Sequence, residues 1–311
     1  MHREFLTKQG ETVIKLAELL LPVSVNYRLP SISECCNLLG AGSGTVQAAL
    51  RALSDAGAIN LEAHGHQGTV ITALDRALLW RFSRGNSPIY GSLPLPNPTR
   101  YEGLATAMFE LFERSGIPFS TGYVRGARVR VQRLLDRHAD FVVCSLLSAE
   151  IAVQENPSLT MLMDLGKETY MTNTMLIFAE PGHTEVEDGM RVGLDYSCYD
   201  HPEINRVASE GKNVTFVPVN YTNVHNMLHN REIDVSVCGL ETYATDFPGL
   251  YSVPVARKGR MAKITQEGGN AVIIVRKGDD ALSALLQDVL NLDELHAIQK
   301  DVMEGRKMPS Y

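Results

Sequence analysis

Apolar residues along the first seventy positions follow a helical rhythm that later gives way to an extended one. In residues 11–21 (ETVIKLAELLL), Val13, Leu16, Ala17 and Leu20 fall at helical spacing and Pro22 stops the run, which predicts an amphipathic support helix. A second helix is predicted from Ser31. Its hydroxyl can cap the helix while Glu34, three residues on, returns a bond to the capping residue, and the helix buries Ile32, Cys35 and Leu39 before ending at Gly40. Ser43 reads as the cap of a third helix over 44–56 (GTVQAALRALSDA). That helix sets Val46, Ala49, Leu50 and Leu53 on one face and Thr45, Gln47, Ala48, Arg51 and Ser54 on the other. Beyond Gly57, residues 58–62 and 69–72 read as two short strands around a glycine-rich tip, His64-Gly65-His66-Gln67-Gly68.

The pattern changes again after residue 74. Residues 74–84 form a mixed apolar and basic connector, and prolines and glycines over 87–98 mark the entry to a new unit, so the chain divides into 1–84 and 85–311. Strand and helix patterns then alternate: strand 89–95, helix 100–115 burying Leu104, Met108 and Leu111, strand 119–124, helix 127–138 and strand 141–144. After an apolar run at 171–178 the order returns, with strand 191–195, helix 201–210, strand 214–219, helix 222–230 and strand 235–237. VQRLLDRHADFVVCS (131–145) aligns with VHNMLHNREIDVSVCG (224–239), each carrying an Asp into a short apolar strand that ends in Cys. Two similar α/β lobes with mostly parallel sheets are expected. Strands at 251–255 and 270–277 and helices at 282–290 and 293–304 close the chain and return it to the first lobe.

Length and composition agree with a two-domain protein: 311 residues, 44% hydrophobic and 21% charged. No apolar run is long enough to span a bilayer and no basic-then-apolar leader opens the chain, so a soluble cytoplasmic protein without membrane partners is expected, and not an exported binding protein. The five cysteines include no C-x-x-C pair, which speaks against a disulfide framework and a zinc site. Net charge changes the picture more. The chain carries −7 overall, and residues 1–74 hold five basic against six acidic side chains, so any surface that meets a polyanion must be local.

The run RLPS, a helix, GTVQAALRALSDAGAI and then GHQGTVI resembles the GntR-type winged helix-turn-helix across residues 28–72. The resemblance implies a third helix in the DNA major groove and a wing along the adjacent backbone. Carried over by position, Thr45, Gln47 and Arg51 face DNA on the helix and His64 and His66 lie on the wing, with Ser31 and Ser43 as further candidates at the helix starts. Where that family places arginines, this chain has Gly44, Gln47 and His64, and a histidine adds charge only near or below its ordinary pKa of about 6.5. The C-terminal pattern resembles type II periplasmic-binding-protein-like effector domains, notably in AVIIVRKGDDALSALL (271–286). The whole chain resembles the YhfZ family, bacterial proteins read as transcriptional regulators, which implies a winged helix fused to a sensor of unspecified ligand.

In open α/β sheets, ligands bind beyond the carboxyl ends of the strands, where helix N-termini favour anions. Those ends offer Thr99, Arg100, Tyr101 and Ser145 in the first lobe, and Tyr196, Ser197, Tyr221, Thr222, Glu241 and Thr242 in the second. Each hydroxyl can equally be an ordinary cap. Arg100 suits a carboxylate or phosphate and Glu241 an amine, which suggests an amino-acid-like or small anionic metabolite. Arg125, Arg128, Arg130, Arg133 and Arg137 read as a solvated helix face, with an oligomer contact or an anion patch as the alternatives, and His225 and His229, whose spacing matches a metal-binding pair without its glutamate, also read as a solvated face. No metal, cofactor or catalytic set is expected. The resulting reading is a homodimeric, metabolite-responsive regulator of double-stranded DNA. The rivals are an enzyme or ligand-binding protein on the same two-lobed fold, as in the dehydratases of aromatic amino-acid synthesis, with the winged helix used for dimerisation.

Overall fold

The structure, a computed structural model, describes residues 7–239 and 249–311. Its first elements are α1 (Lys8–Leu20), α2 (Ile32–Leu39), α3 (Ser43–Asp55), β1 (Ile59–Ala63), β2 (Thr69–Leu74) and α4 (Arg76–Arg84). The α2 start is a capping box: Ser31 Oγ accepts from Glu34 N–H at 3.3 Å while the Glu34 carboxylate accepts from Ser31 N–H at 2.7 Å. Gly40, at φ 60°, makes the left-handed turn that a side chain would disfavour, and lets α3 cross α2. The α3 start differs from expectation. Ser43 is the first helical residue and caps nothing, because Gly42 occupies the cap position with extended φ and ψ. Val46, Ala49 and Leu53 are buried as the spacing requires, and they pack with Leu16, Leu20, Ile59, Ile71 and Leu79 into one core. Residues 74–84, read as a connector, are mostly helix: Asp75 caps α4 by accepting from Leu78 N–H at 2.8 Å, and Leu79 is buried.

The remaining elements are β3 (Ile89–Leu93), α5 (Thr99–Ser115), β4 (Phe119–Tyr123), α6 (Ala127–Leu135), β5 (Phe141–Ser145), α7 (Leu146–Glu155), β6 (Leu159–Asp164), β7 (Thr174–Phe178), β8 (Arg191–Leu194), α8 (Asp200–Ala208), β9 (Thr215–Pro218), α9 (Val224–His229), β10 (Val235–Gly239), β11 (Tyr251–Pro254), α10 (Gly259–Gly268), β12 (Ala271–Arg276), α11 (Asp280–Val289) and α12 (Leu292–Met303). They build two five-stranded sheets, ordered β4-β3-β5-β12-β6 and β11-β7-β10-β8-β9. Neither is mostly parallel. β3 pairs with β5, and β8 with β9 and β10, in parallel, but β12 runs antiparallel to both β5 and β6, and β7 to both β10 and β11. The sheets are mixed because the chain crosses between lobes and re-enters each from the opposite end. β12 is the expected return to the first lobe.

Besides α4, three further elements were not expected: α7, β6 and α10. α7 buries Leu147, Ser148, Ala149 and Ala152, positions that mark no single apolar stripe, so its sequence carries little helical periodicity. The internal repeat is structural. Each lobe's Asp holds the strand beside it: Asp140 Oδ2 accepts from Tyr90 N–H at 2.9 Å, and Asp234 Oδ2 accepts from Arg191 N–H at 2.7 Å. The turn before each Asp passes through a left-handed arginine, Arg137 at φ 60° and Arg231 at φ 58°.

By contacts the chain forms two compact units. The first joins the described residues up to Ile89 to Leu111–Phe119 and Gly278–Asn291, and the second holds Tyr90–Glu110, Ser120–Lys277 and Leu292–Tyr311, which carry most of both sheets. Within the first unit α11 packs on α4, Ala281 meets the winged-helix core, and Arg76 donates to Asp288 and to the carbonyls of Leu21 and Val23.

Candidate functional site

Between the two lobes lies a cleft of about 200 Å³, lined from the first lobe by Leu95, Tyr101, Arg125, Gly126 and Arg130, from the crossing segment by Tyr170 and Met171, and from the second lobe by Cys198, Asp200, His201, Ile204, Tyr221, Thr222 and Cys238, among others. The N-terminal ends of α5, α6 and α8 all supply residues to it, as the topology of open sheets demands.

Arg130 lines the cleft from α6. It occupies a core position of α6, sharing the stripe of Ala127, Val131 and Leu134, and its side chain is buried. Nε donates to Val143 O at 3.0 Å, Nη1 to Val124 O at 2.7 Å and Nη2 to the Tyr170 hydroxyl at 3.0 Å, all neutral acceptors. Among the described residues no carboxylate lies within 4 Å of it. A buried cation without a counter-charge costs several kcal/mol, so this geometry favours an incoming anion. Tyr170 stacks at a tilt on Tyr101, with centroids 4.7 Å apart, and burial drives both hydroxyls' pKa well up, so both remain neutral.

The second lobe contributes Asp200. Its Oδ2 accepts from Ser145 Oγ at 3.0 Å and its Oδ1 from His201 N–H at 2.9 Å, and among the described residues it has no basic partner. His201 is buried and fixed: Nδ1 accepts from Asp195 N–H at 3.0 Å, Nε2 lies 3.3 Å from Ser236 Oγ, and burial lowers its pKa, so it is a neutral ring. Burial pushes the thiols of Cys198 and Cys238 up to about 12.

Of the strand-end residues, Tyr101, Tyr221 and Thr222 line the cleft. Ser145 is buried as the cap of α7, Ser197 sits beside Arg125 at 3.3 Å, Tyr196 and Thr99 are exposed, and Glu241 and Thr242 fall outside the described residues. Arg100 is not part of the lining; its guanidinium donates to the carbonyl of Glu168 and to Thr172. The arginine run is not a plain solvated face. Arg130 is buried, Arg125 binds Asp195 and Asn220, and Arg128 pairs with Glu155 while lying 4.0 Å over the Tyr199 ring. The signal for Arg130 was its spacing, three residues after Ala127 and four before Leu134.

On the winged helix, Gln47 and Arg51 project from α3 into solvent, Thr45 is half-buried, and Ser31, Ser43, His64 and His66 are exposed. His64 lies 3.7 Å from Glu62.

The comparisons with known proteins agree with this layout. Residues 75–311 match the YhfZ C-terminal domain and residues 26–71 a helix-turn-helix domain. The chain belongs to the YhfZ family. It is 32% identical over 314 residues to the uncharacterised YhfZ of Escherichia coli (strain K12), covering all of both chains. The crystal structure of YhfZ from Shigella flexneri is 28% identical and superposes with a TM-score of 0.64 over 76% of this chain and 98% of that one. The fold extends further. The substrate-binding protein of a methionine transporter from Streptococcus pneumoniae, 11% identical, covers 72% of this chain and 96% of its own with a TM-score of 0.50. The chain is thus a helix-turn-helix domain joined to a domain with the two-lobed, type II periplasmic-binding-protein-like fold. Among its described residues no helix is long and apolar enough to cross a membrane, and no group of three side chains is placed to hold a metal ion.

Proposed function

We propose that this chain is a cytoplasmic, DNA-binding transcriptional regulator whose two-lobed domain senses a small metabolite carrying a carboxylate, most simply an amino acid. The observation that carries the reading is Arg130: a buried guanidinium, facing a cleft, with neutral partners only. The role first assigned to Arg100 passes to Arg130, and that of Glu241 to Asp200, which would take the amine. Leu95, Met171, Ile204 and Tyr221 supply apolar and aromatic walls for the rest of the ligand. Binding fits the cleft better than catalysis, because its thiols are held protonated and the nitrogens of His201 are committed to fixed neighbours.

Residues 1–84 then act as the DNA-binding part and 85–311 as the sensor, with Gln47 and Arg51 reading the major groove. A homodimer would set two α3 helices on half-sites about one helical turn apart, and the ligand would act by favouring one of two lobe arrangements. The test is a gel-shift of the full chain with duplex DNA from upstream of its own gene, at 50 and 150 mM salt, with and without a panel of amino acids and small carboxylates. A retarded band whose midpoint one panel member moves supports the proposal; no band at either salt overturns it.

A further inference from the structure

The wing between β1 and β2 contains no lysine or arginine, only His64, Gly65, His66, Gln67 and Gly68. The fold nevertheless brings a cation to it from elsewhere in the sequence. Residues 26–29 run beside β2 through a single antiparallel bridge, Arg28 to Val70: Asn26 N–H donates to Ile71 O at 2.8 Å, Ile71 N–H to Tyr27 O at 3.0 Å and Leu29 N–H to Thr69 O at 2.9 Å. Side chains alternate along a strand, so the burial of Leu29 in the winged-helix core turns Arg28 outward.

The Arg28 guanidinium comes to rest against the wing tip. A Cβ added to Gly68 would stand 2.9 Å from its Nε, so the absence of a side chain there is what gives Arg28 its seat, and Gly68 holds φ at 88°. In the same unit Lys15 is tied to Glu11 at 2.8 Å and Arg76 to Asp288. The Arg28 side chain, by contrast, takes part in no hydrogen bond or ion pair with the described side chains. Glu34 feels its charge, but the Glu34 carboxylate is already held by the Ser31 N–H and hydroxyl. A positioned, exposed and uncommitted guanidinium on a wing edge suits a phosphate oxygen, to which an arginine can donate two parallel hydrogen bonds.

We propose that Arg28 is the wing's contact to the DNA backbone, replacing with a residue from the segment before α2 the cation that the wing's own sequence lacks. The inference rests on the DNA-binding reading above. It assigns Arg28 to phosphate positioning, which is blind to base sequence, and leaves base readout to α3.

The experiment is fluorescence anisotropy of the full chain on a labelled upstream duplex and on a scrambled duplex, across 50–250 mM salt, for the parent chain and for Arg28→Gln, Arg28→Lys and Arg51→Ala, with thermal melting of each. Arg28→Gln is expected to weaken both duplexes alike, by roughly 5- to 10-fold near 0.1 M salt, and to lower the salt slope by about one. Arg28→Lys, which keeps the charge, restores the slope. If the parent binds and Arg51→Ala weakens binding, but Arg28→Gln leaves affinity and slope unchanged, Arg28 is not the contact while the regulator reading stands. Loss confined to the upstream duplex overturns the phosphate assignment in favour of base readout. A parent chain that binds neither duplex at 50 mM salt overturns both readings. An Arg28→Gln chain that melts with the parent excludes damage to the wing, and slope recovery in Arg28→Lys separates charge from packing if it does not.

Discussion

Arg125 of the first lobe and Asp195 of the second meet beside the cleft, Nη1 to Oδ2, at 2.8 Å. Asp195 also accepts from the backbone N–H groups of Ser197 and Tyr221. Burial, the largest influence on this carboxyl, works to raise its pKa, but the hydrogen bonds from Ser197 and Tyr221 and the Arg125 charge outweigh it and hold the pKa below the ordinary range. Asp195→Ala leaves several donors unpaired and is expected to cost about 3 kcal/mol in urea unfolding at pH 7. The group's folded pKa is depressed, so its contribution is fully present above the unfolded carboxylate pKa near 4 and disappears as pH falls through the folded value. The gap between parent and variant must therefore narrow in acid; a gap that widens there contradicts the assignment.

Arg130 makes the sharper prediction for ligand binding. Arg130→Met keeps the apolar length of the side chain and removes the charge, and is expected to reduce affinity for the carboxylate found in the panel by at least about 100-fold. Arg100→Ala, whose guanidinium is spent on Glu168 and Thr172, should leave that affinity unchanged. Isothermal titration of both variants decides between the two arginines.

Gly126, at φ 81°, lies where an added Cβ would stand 2.5 Å from Ser197 O on the other lobe. Arg128 N–H donates to that same carbonyl at 3.0 Å. Gly126→Ala must therefore push the 195–200 segment away from α6, at a cost of roughly 1–3 kcal/mol. Thermal melting should register the loss. Small-angle scattering should show a larger radius of gyration; an unchanged melting temperature and radius would mean that the lobes can slip past this contact.

The paired aspartates provide an internal control. Asp234 is gripped by Arg191 through the backbone N–H, Nε and Nη2, and that hydrogen bonding, foremost, lowers its pKa. Asp140 accepts from Tyr90 N–H and has Arg276 at 3.6 Å. Because the Arg191 pair is partly exposed, Asp234→Ala is expected to cost only about 1–2 kcal/mol, with Asp140→Ala at or below it. As a depressed carboxyl, Asp234 stabilises above the unfolded pKa and loses that effect in acid, which unfolding at pH 7 and pH 3.5 would read.

The elements that could be read from the sequence are those whose signals are local. Ser31, Glu34 and Gly40 define α2 within ten residues, and the Asp-to-Cys repeat announces two related lobes before any contact is known. Strand order is set by chain returns, so the mixed sheets were illegible although the strands themselves were not. α7 escaped because its burial marks no single stripe. The rule of strand ends pointed to Tyr101, Tyr221 and Thr222, which line the cleft, but nothing local singled out Arg130: it stands among four other arginines, and only packing separates it from Arg128, two positions earlier and on the solvent side. Arg28 was equally hidden, since nothing local ties it to a tip forty residues later.

The packing of α11 on α4 has a bearing on how the protein is made. Ala281 meets the winged-helix core, and Asp288 receives Arg76. The N-terminal helical core therefore lacks one of its walls until α11 has been synthesised. A fragment released at Arg84 would expose the α4 surface that α11 covers, and a nascent chain stalled before Asp280 would carry the helix-turn-helix domain without that cover. Completion of the N-terminal core is thereby tied to the synthesis of α11.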